Sequence, residues 1–312
     1  MSNVKAVNLP HQKEVKEKKE NIWRGVNRVH VSDFVIAFVI LLLSLTCVLP
    51  FIHVAAKSVS SNTAVLSKAV YLWPKDLNVD AYISIFKDGQ LIRSMFYTIL
   101  VTLLFTIVGM VVTICAAYPL SIRGLKGRSG FAFVLMFTMY FSAGLIPEYL
   151  LMNDLKLLDT AWVLVLPLAF SPYNMLIMRS FLVSTIPESL HEAAKLDGAN
   201  HFQTLWHVVL PLSKPILATL SLFYAVGRWN AYADAKYYIT SKALQPLQYL
   251  LSNMVLSSGQ DAISLSENAA VVSTPEVLQA ATIMFATLPI IMVYPFVQKY
   301  FVKGAMIGAV KG

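Results

Sequence analysis

Long uncharged apolar runs alternate with short polar segments along the chain, and the runs have bilayer length. A helix needs roughly 20 apolar residues, range about 17–25, to cross a hydrocarbon core of about 30 Å. Phe34–Ala56 carries no formal charge, and Ser94–Leu120 lies between Arg93 and Arg123. Ser129–Ile146 follows, then Ala161–Met178 between Asp159 and Arg179. Pro215–Val226 is short, and it reaches spanning length only if Trp229–Ala233 continues it. Val277–Val297 is the sixth run. The pattern predicts an all-α polytopic membrane domain over residues 33–304. Its spans lie near 34–56, 94–120, 129–146, 161–178, 215–233 and 277–297.

Composition agrees with the pattern. Hydrophobic residues make up 57% and charged residues 13%, against about 25% charged in soluble domains. Too few charges are present to cover a soluble globule of this length, which excludes a soluble enzyme, a disordered chain and a nucleic-acid binder. The net charge of +8 follows instead from excess Lys and Arg in segments facing the cytoplasm. Arg123, Lys126 and Arg128 sit in one tight loop, and Lys299, Lys303 and Lys311 sit in the carboxyl-terminal segment. These basic segments predict that both termini are cytoplasmic. Residues 1–32, with alternating charges over Lys13–Glu20, predict a solvated cytoplasmic extension. The first run follows a charged stretch too long for a cleaved signal, so it is expected to be a retained anchor. Cys47 and Cys115 both lie inside apolar runs, so no disulfide framework is indicated.

One polar segment, 185–211, does not read as a loop. Thr185-Ile-Pro-Glu188 has capping-box spacing. Leu190, Ala193 and Ala194 make a helical stripe. Gly198 stands where a helix ends in a left-handed residue. Asn200-His-Phe-Gln203 is a second cap, and Phe202, Leu205, Trp206 and Val209 a second stripe, which Pro211 is expected to stop. The pattern predicts a helix, a glycine turn and a second helix between two spans. An amphipathic connector lying on lipid is the plainest role for such a unit. A docking element is the other: Ala193 and Ala194 allow close approach, and Glu192 and Asp197 offer charge to a basic cleft.

The run Glu192-Ala193-Ala194-Lys-Leu-Asp197-Gly198-Ala199, followed by Val208-Val-Leu210-Pro211, resembles the EAA loop of bacterial ABC-importer permeases. Ile146-Pro-Glu-Tyr-Leu-Leu, Trp162-Val-Leu-Val-Leu-Pro167 and the segment Lys303–Gly312 resemble the carbohydrate-uptake branch that includes the second maltose permease, and most closely its oligosaccharide, aldouronate-type members. The resemblance covers about residues 30–312. It implies a type I importer permease in the bacterial cytoplasmic membrane, with a coupling helix in the loop. It further implies a second, different permease, two ATP-binding subunits beneath the pair and an extracytoplasmic solute-binding protein that delivers an oligosaccharide. The coupling residues would be Glu192, Ala193, Ala194, Asp197, Gly198, Ala199, Leu210 and Pro211. The tail 305–312, with Gly304, Gly308 and Gly312, would reach the interface between the ATPase subunits. ATP and Mg would be bound by those partners and no cofactor by this chain. No G-x-x-x-x-G-K-[ST] is present, and the glycines of Gly124–Ser129 have the wrong spacing.

Other chemistry is weakly represented. His191, His201 and His207 share the loop, but their spacing suits polar loop histidines better than a closed metal site. No nucleophile-elbow context occurs. Sugar recognition uses aromatic faces and planar amides, and Tyr140, Tyr173, Asn174, Tyr224, Trp229, Asn230 and Tyr232 lie in or near the runs. Interfacial belts account equally for Trp229 and Tyr232, and inter-helix hydrogen bonding for Asn174. An ion-coupled transporter without an ATPase partner is the alternative. Proton coupling needs carboxylates inside the membrane, and none of the six runs contains one.

Overall fold

The computed structural model describes residues 31–87, 89–256 and 274–309. Among these the chain is helical, with one isolated bridge between Ser60 and Leu77 and no strand. It divides into two compact units at Val54/Ala55. The expectations for residues 1–30 and for Gly312 lie outside the described residues.

Helix α1, Val31–Ser58, is apolar on every side. Ser44 and Thr46 turn their hydroxyls back onto the Ile40 and Leu43 carbonyls, each at 2.8 Å. No hydroxyl hydrogen of theirs is then left facing hydrocarbon. Two short helices follow, α2 Asn62–Leu66 and α3 Asp80–Lys87. Helix α4, Gly89–Ser121, has 33 residues, about 50 Å at about 1.5 Å per residue, and so outreaches a hydrocarbon core.

The third and fourth runs are not single helices, which corrects the expectation of a continuous helix over 129–146 and over 161–178. The third is α5, Arg128–Phe137, followed by non-helical residues to Gly144 and then α6, Leu145–Asp154. Gly144 sits at φ +89°, a conformation glycine tolerates and a helix cannot pass through. The fourth opens as a 3-10 turn, Ala161–Leu164, and turns helical again only at α7, Pro172–Thr185. Pro172 occupies the first turn of α7, where a missing N–H costs nothing, and the Ser171 hydroxyl caps the Asn174 N–H.

After α7 come α8, Glu188–Leu196, and α9, His201–Leu212. Helix α10, Lys214–Asn230, leaves α9 at an angle of 84°. The remaining helices are α11 Ala233–Tyr238, α12 Leu247–Leu256 and α13 Pro275–Ala309. Helix α13 continues past residue 297, where the span was expected to end, so Gly304 and Gly308 belong to it rather than to a separate tail. Glycine costs a helix about 1 kcal/mol relative to alanine, and the intervening Ala305 and Met306 are good helix formers. Three helices, Ser32–Ser58, Gly89–Ser121 and Pro275–Val293, are long and apolar enough to cross a membrane singly, and the bent pair α9–α10 passes as a unit.

The core lies where α4, α7 and α10 meet. Phe105, Met110, Met175, Met178, Leu220 and Tyr224 are buried there. Gly109 sets the closeness of that meeting: a Cβ on it would lie 2.8 Å from the Tyr224 ring and 3.1 Å from the Ala169 carbonyl oxygen. A second cluster, with Leu91, Met95, Trp229, Leu247 and Ala281, joins α4, α10, α12 and α13.

Candidate functional site

The helix–turn–helix of residues 185–212 forms as the sequence predicts, with different boundaries. Thr185 does not cap α8; it is the last residue of α7. The reason is Pro187, which forces Ile186 out of the helical region (φ −106°, ψ 105°) and itself stands at the cap position without a side-chain bond. Helix α8 ends at Asp197, and the chain turns through Gly198 at φ +79°. The Gly198 N–H donates to the Lys195 carbonyl at 3.1 Å and the Ala199 N–H to the Ala194 carbonyl at 2.9 Å. This is the Schellman pattern, which closes the helix end on its own carbonyls.

Asn200 then opens α9 with a full capping box: its side chain accepts from the Gln203 N–H and its N–H donates to the Gln203 side chain, both at 2.8 Å. Pro211 does not stop α9. The chain widens to a π turn over Leu205–Val209 and stays helical to Leu212. The wider turn makes room for Pro211, which cannot donate and crowds the His207 carbonyl. The break comes at Ser213, two residues before Pro215, whose ring cannot follow the Pro211 carbonyl in a regular helix.

The turn faces outward. Nothing lies within 4 Å of a Cβ placed on Gly198. Glu192, Ala193, Asp197 and Gly198 are exposed, Ala199 is half-buried and Ala194 is buried. Glu192 and Asp197 make no ion pair among the described residues. Leu210 is half-buried and Pro211 exposed. The base of the unit is tied down. The Tyr118 hydroxyl donates to the His201 carbonyl at 3.3 Å, its ring lies 6.1 Å from that of His191, and Arg123 pairs with Glu188 at 3.3 Å. His207 bonds the Gln203 carbonyl at 3.1 Å, and His191 lies against Tyr118, so these two rings serve the fold of the loop separately. The second stripe splits: Val209 is buried, while Phe202 and Trp206 are exposed and stacked with centroids 6.4 Å apart.

The aromatic and amide residues expected along a sugar path have different surroundings. Tyr140, Tyr173 and Tyr232 are exposed, and the Asn230 amide bonds back to the Val226 carbonyl at 2.9 Å. Asn174 is buried in the first turn of α7. The Tyr224 hydroxyl shares a hydrogen bond with Thr113 at 2.7 Å and accepts from the Ser171 N–H at 3.2 Å, so it fastens α10 to α4 and to the start of α7. Trp229 is buried in the second cluster rather than at a surface belt, and its Nε1 has no partner among the described residues.

Sequence reasoning passed over the most connected charge among the described residues. Arg228 stands two residues past the apolar run Pro215–Val226, a position that marks no more than the edge of that run. It is 3% exposed, pairs with Asp234 through both terminal nitrogens, donates to the Leu164 carbonyl at 2.9 Å and lies 5.8 Å from the Phe105 ring centre. Spacing held a hint: Arg228 and Asp234 flank the end of a helix, and opposite charges there can meet once the chain turns. Asp159 makes a second clip. Its carboxylate accepts from the Thr240 N–H, the Ser241 N–H and the Ser241 hydroxyl at 3.0, 2.8 and 2.5 Å. The Ser241 hydroxyl, then the two N–H groups, hold this carboxyl below its ordinary range.

Residues 31–306 match the family described as "Binding-protein-dependent transport system inner membrane component". The chain is 42% identical over 281 residues to the polygalacturonan/rhamnogalacturonan transport system permease protein YtcP of Bacillus subtilis, covering 90% of this chain and 98% of that one. It is 40% identical to the protein LplC of the same organism, covering 85% and 90%. Among solved structures, it superimposes with a TM-score of 0.80 on a chain of a bacterial ABC transporter that imports the acidic polysaccharide alginate, at 34% identity, covering 88% of this chain and 99% of that one.

Proposed function

The chain belongs to the family of binding-protein-dependent transport system inner membrane components, and from that premise we propose that it is a permease subunit of an ATP-driven importer for an oligosaccharide cut from an acidic polysaccharide. The outward-facing Schellman turn at Gly198 carries the reading. It is a rigid, open, anionic corner at the head of a helix pair, and its Glu192 and Asp197 have no partner of their own among the described residues. Such a corner suits a basic cleft on an ATP-binding subunit. The likeness to a polygalacturonan permease and to an alginate importer supports the substrate class, since both named polymers carry carboxylates.

In this mechanism the chain forms half of the pathway and a second, different permease forms the other half. An extracytoplasmic binding protein delivers the sugar. ATP and Mg are held by two partner subunits, and the chain itself hydrolyses nothing. Closure of those subunits moves the turn, α9 and α10 follow, and the pathway changes the face to which it opens. The basic segments support a topology in which both termini are cytoplasmic.

Purification in mild detergent should bring down an ATPase and a second permease. In the reconstituted complex, oligogalacturonate or alginate oligomers with the binding protein should stimulate ATP hydrolysis, and neutral oligomers should not. Co-purification of no ATPase would overturn the importer reading. Equal stimulation by neutral oligomers would overturn the substrate class alone.

A further inference from the structure

The structure leaves two large aromatic side chains on α9 uncovered, Phe202 at 70% and Trp206 at 61% exposure. We propose that this pair seats α9 in the headgroup layer of the bilayer, so that the face rests on lipid and not on a protein subunit. Helix α10 has 17 residues, about 26 Å at about 1.5 Å per residue, close to the thickness of a hydrocarbon core. When α10 crosses the membrane, the 84° break at Ser213 lays α9 nearly in the membrane plane, at the mouth of that crossing.

A helix lying there meets hydrocarbon on one side and water on the other, and α9 is divided to match. Thr204 and Val209 are buried against the rest of the chain. Gln203 and His207 are exposed and polar. Phe202 and Trp206, four residues apart, form a single stacked strip between those two faces, with ring planes 16° apart. Aromatic rings with one polar edge are favoured at the headgroup level, where the ring body leaves water and the indole N–H stays wet. Leu212, at the break, is exposed and apolar as well.

Lipid is favoured over the ATPase as occupant by where the charges stand. No Asp, Glu, Lys or Arg occurs from His201 to Leu212. The charged and open features that suit a protein cleft all lie on α8 and the Gly198 turn. The two surfaces divide the labour: one corner meets a protein partner and the adjacent strip fixes its height against the bilayer.

The test uses the assembled complex in bilayers whose lipids carry bromine either shallow or deep in the acyl chains. The difference in emission between the wild type and Trp206→Phe isolates Trp206, and Trp206→Tyr provides the same difference should the first variant assemble poorly. The expected result is a difference spectrum quenched by brominated lipid, more by the shallow label than by the deep one. No quenching by either label, or quenching that appears only after the ATP-binding subunits are stripped away, would assign the face to protein and overturn the proposal. The quenching reports only where Trp206 lies, whereas the importer reading stands or falls on co-purification of an ATPase, so the two failures are distinguishable.

Discussion

Helix α10 finishes at its carboxyl-terminal end in a closed polar junction, where Arg228 is held by Asp234, the Leu164 carbonyl and the face of Phe105. At its other end it begins after a right-angle break, beside an arm that leaves two aromatic rings exposed and leads to a turn with open space around its glycine. The first end holds its charges within the chain, while the neighbouring Trp229 Nε1 has no partner among the described residues. The second satisfies its backbone, through the Schellman turn and the capping box, and leaves its side chains to other molecules. Damage to the first end should therefore register as lost stability, and damage to the second as lost coupling in a protein that still folds.

The largest effect belongs to Arg228→Met, which strands Asp234 in a buried site. Breaking one partner of a buried pair costs about 3–5 kcal/mol, so thermal unfolding in detergent should move sharply down. Arg228→Met combined with Asp234→Leu should recover most of the loss; a double variant no better than the single would mean that the pair is not what holds this end. Next comes Gly109→Ala. Its Cβ forces Tyr224 off Thr113 and Ser171, and overpacking of this kind costs about 1–3 kcal/mol.

Gly198→Val attacks the other end. A β-branched residue at positive φ is strained by at least about 1–2 kcal/mol, but the strain is local and the space is open. Sugar-stimulated ATP hydrolysis should fall much further than the unfolding temperature does. Glu192→Lys sharpens the contrast: an exposed substitution shifts stability by no more than about 0.5 kcal/mol, yet it reverses a charge on the docking corner, and stimulation should again be lost. Wild-type stimulation in both variants would reduce the corner to a connector.

The smallest effect is a pH dependence at Asp159. Hydrogen bonds from Ser241 and Thr240 lower its folded pKa below the ordinary value of about 3.9. The contribution of this clip is fully present above that unfolded value and is lost as pH falls through the lower folded one. Asp159→Asn should flatten the acid limb of a stability–pH curve below about pH 4, with its small loss of stability seen at neutral pH, where the clip is fully formed, and vanishing in acid.

Much of the helix pair was legible because its signals are local. A glycine at a left-handed position and an Asn-x-x-Gln cap act within a turn, and Gly198 and Asn200 do what their spacing says. Apolar length likewise marked α1, α4 and α13. The misses share a cause. Thr185 has the right spacing for a cap, but Pro187 acts on the residue before it and moves the boundary. Gly144 and the residues before Pro172 divide two runs whose hydrophobicity shows no break, because lipid exposure is indifferent to whether an apolar stretch is one helix or two. Tyr224 and Arg228 could not be placed from sequence, since their partners Thr113 and Leu164 lie far along the chain, and only the packing of α4 and of the Ala161–Leu164 turn against α10 brings them together.

The break at Ser213 has a mechanical side. Two arms set at 84° about a fixed point make a bell crank. The arm His201–Leu212 measures roughly 18 Å and the arm Lys214–Asn230 roughly 26 Å at about 1.5 Å per residue. Rotated as one piece, such a crank turns a push normal to the bilayer at the docking corner into a sideways swing at Arg228, enlarged by the ratio of the arms, about 1.4 on the same rise per residue. The tight ion pair at the far end would tie that swing to the turn at Leu164 and to α11. A slack attachment there would absorb the stroke.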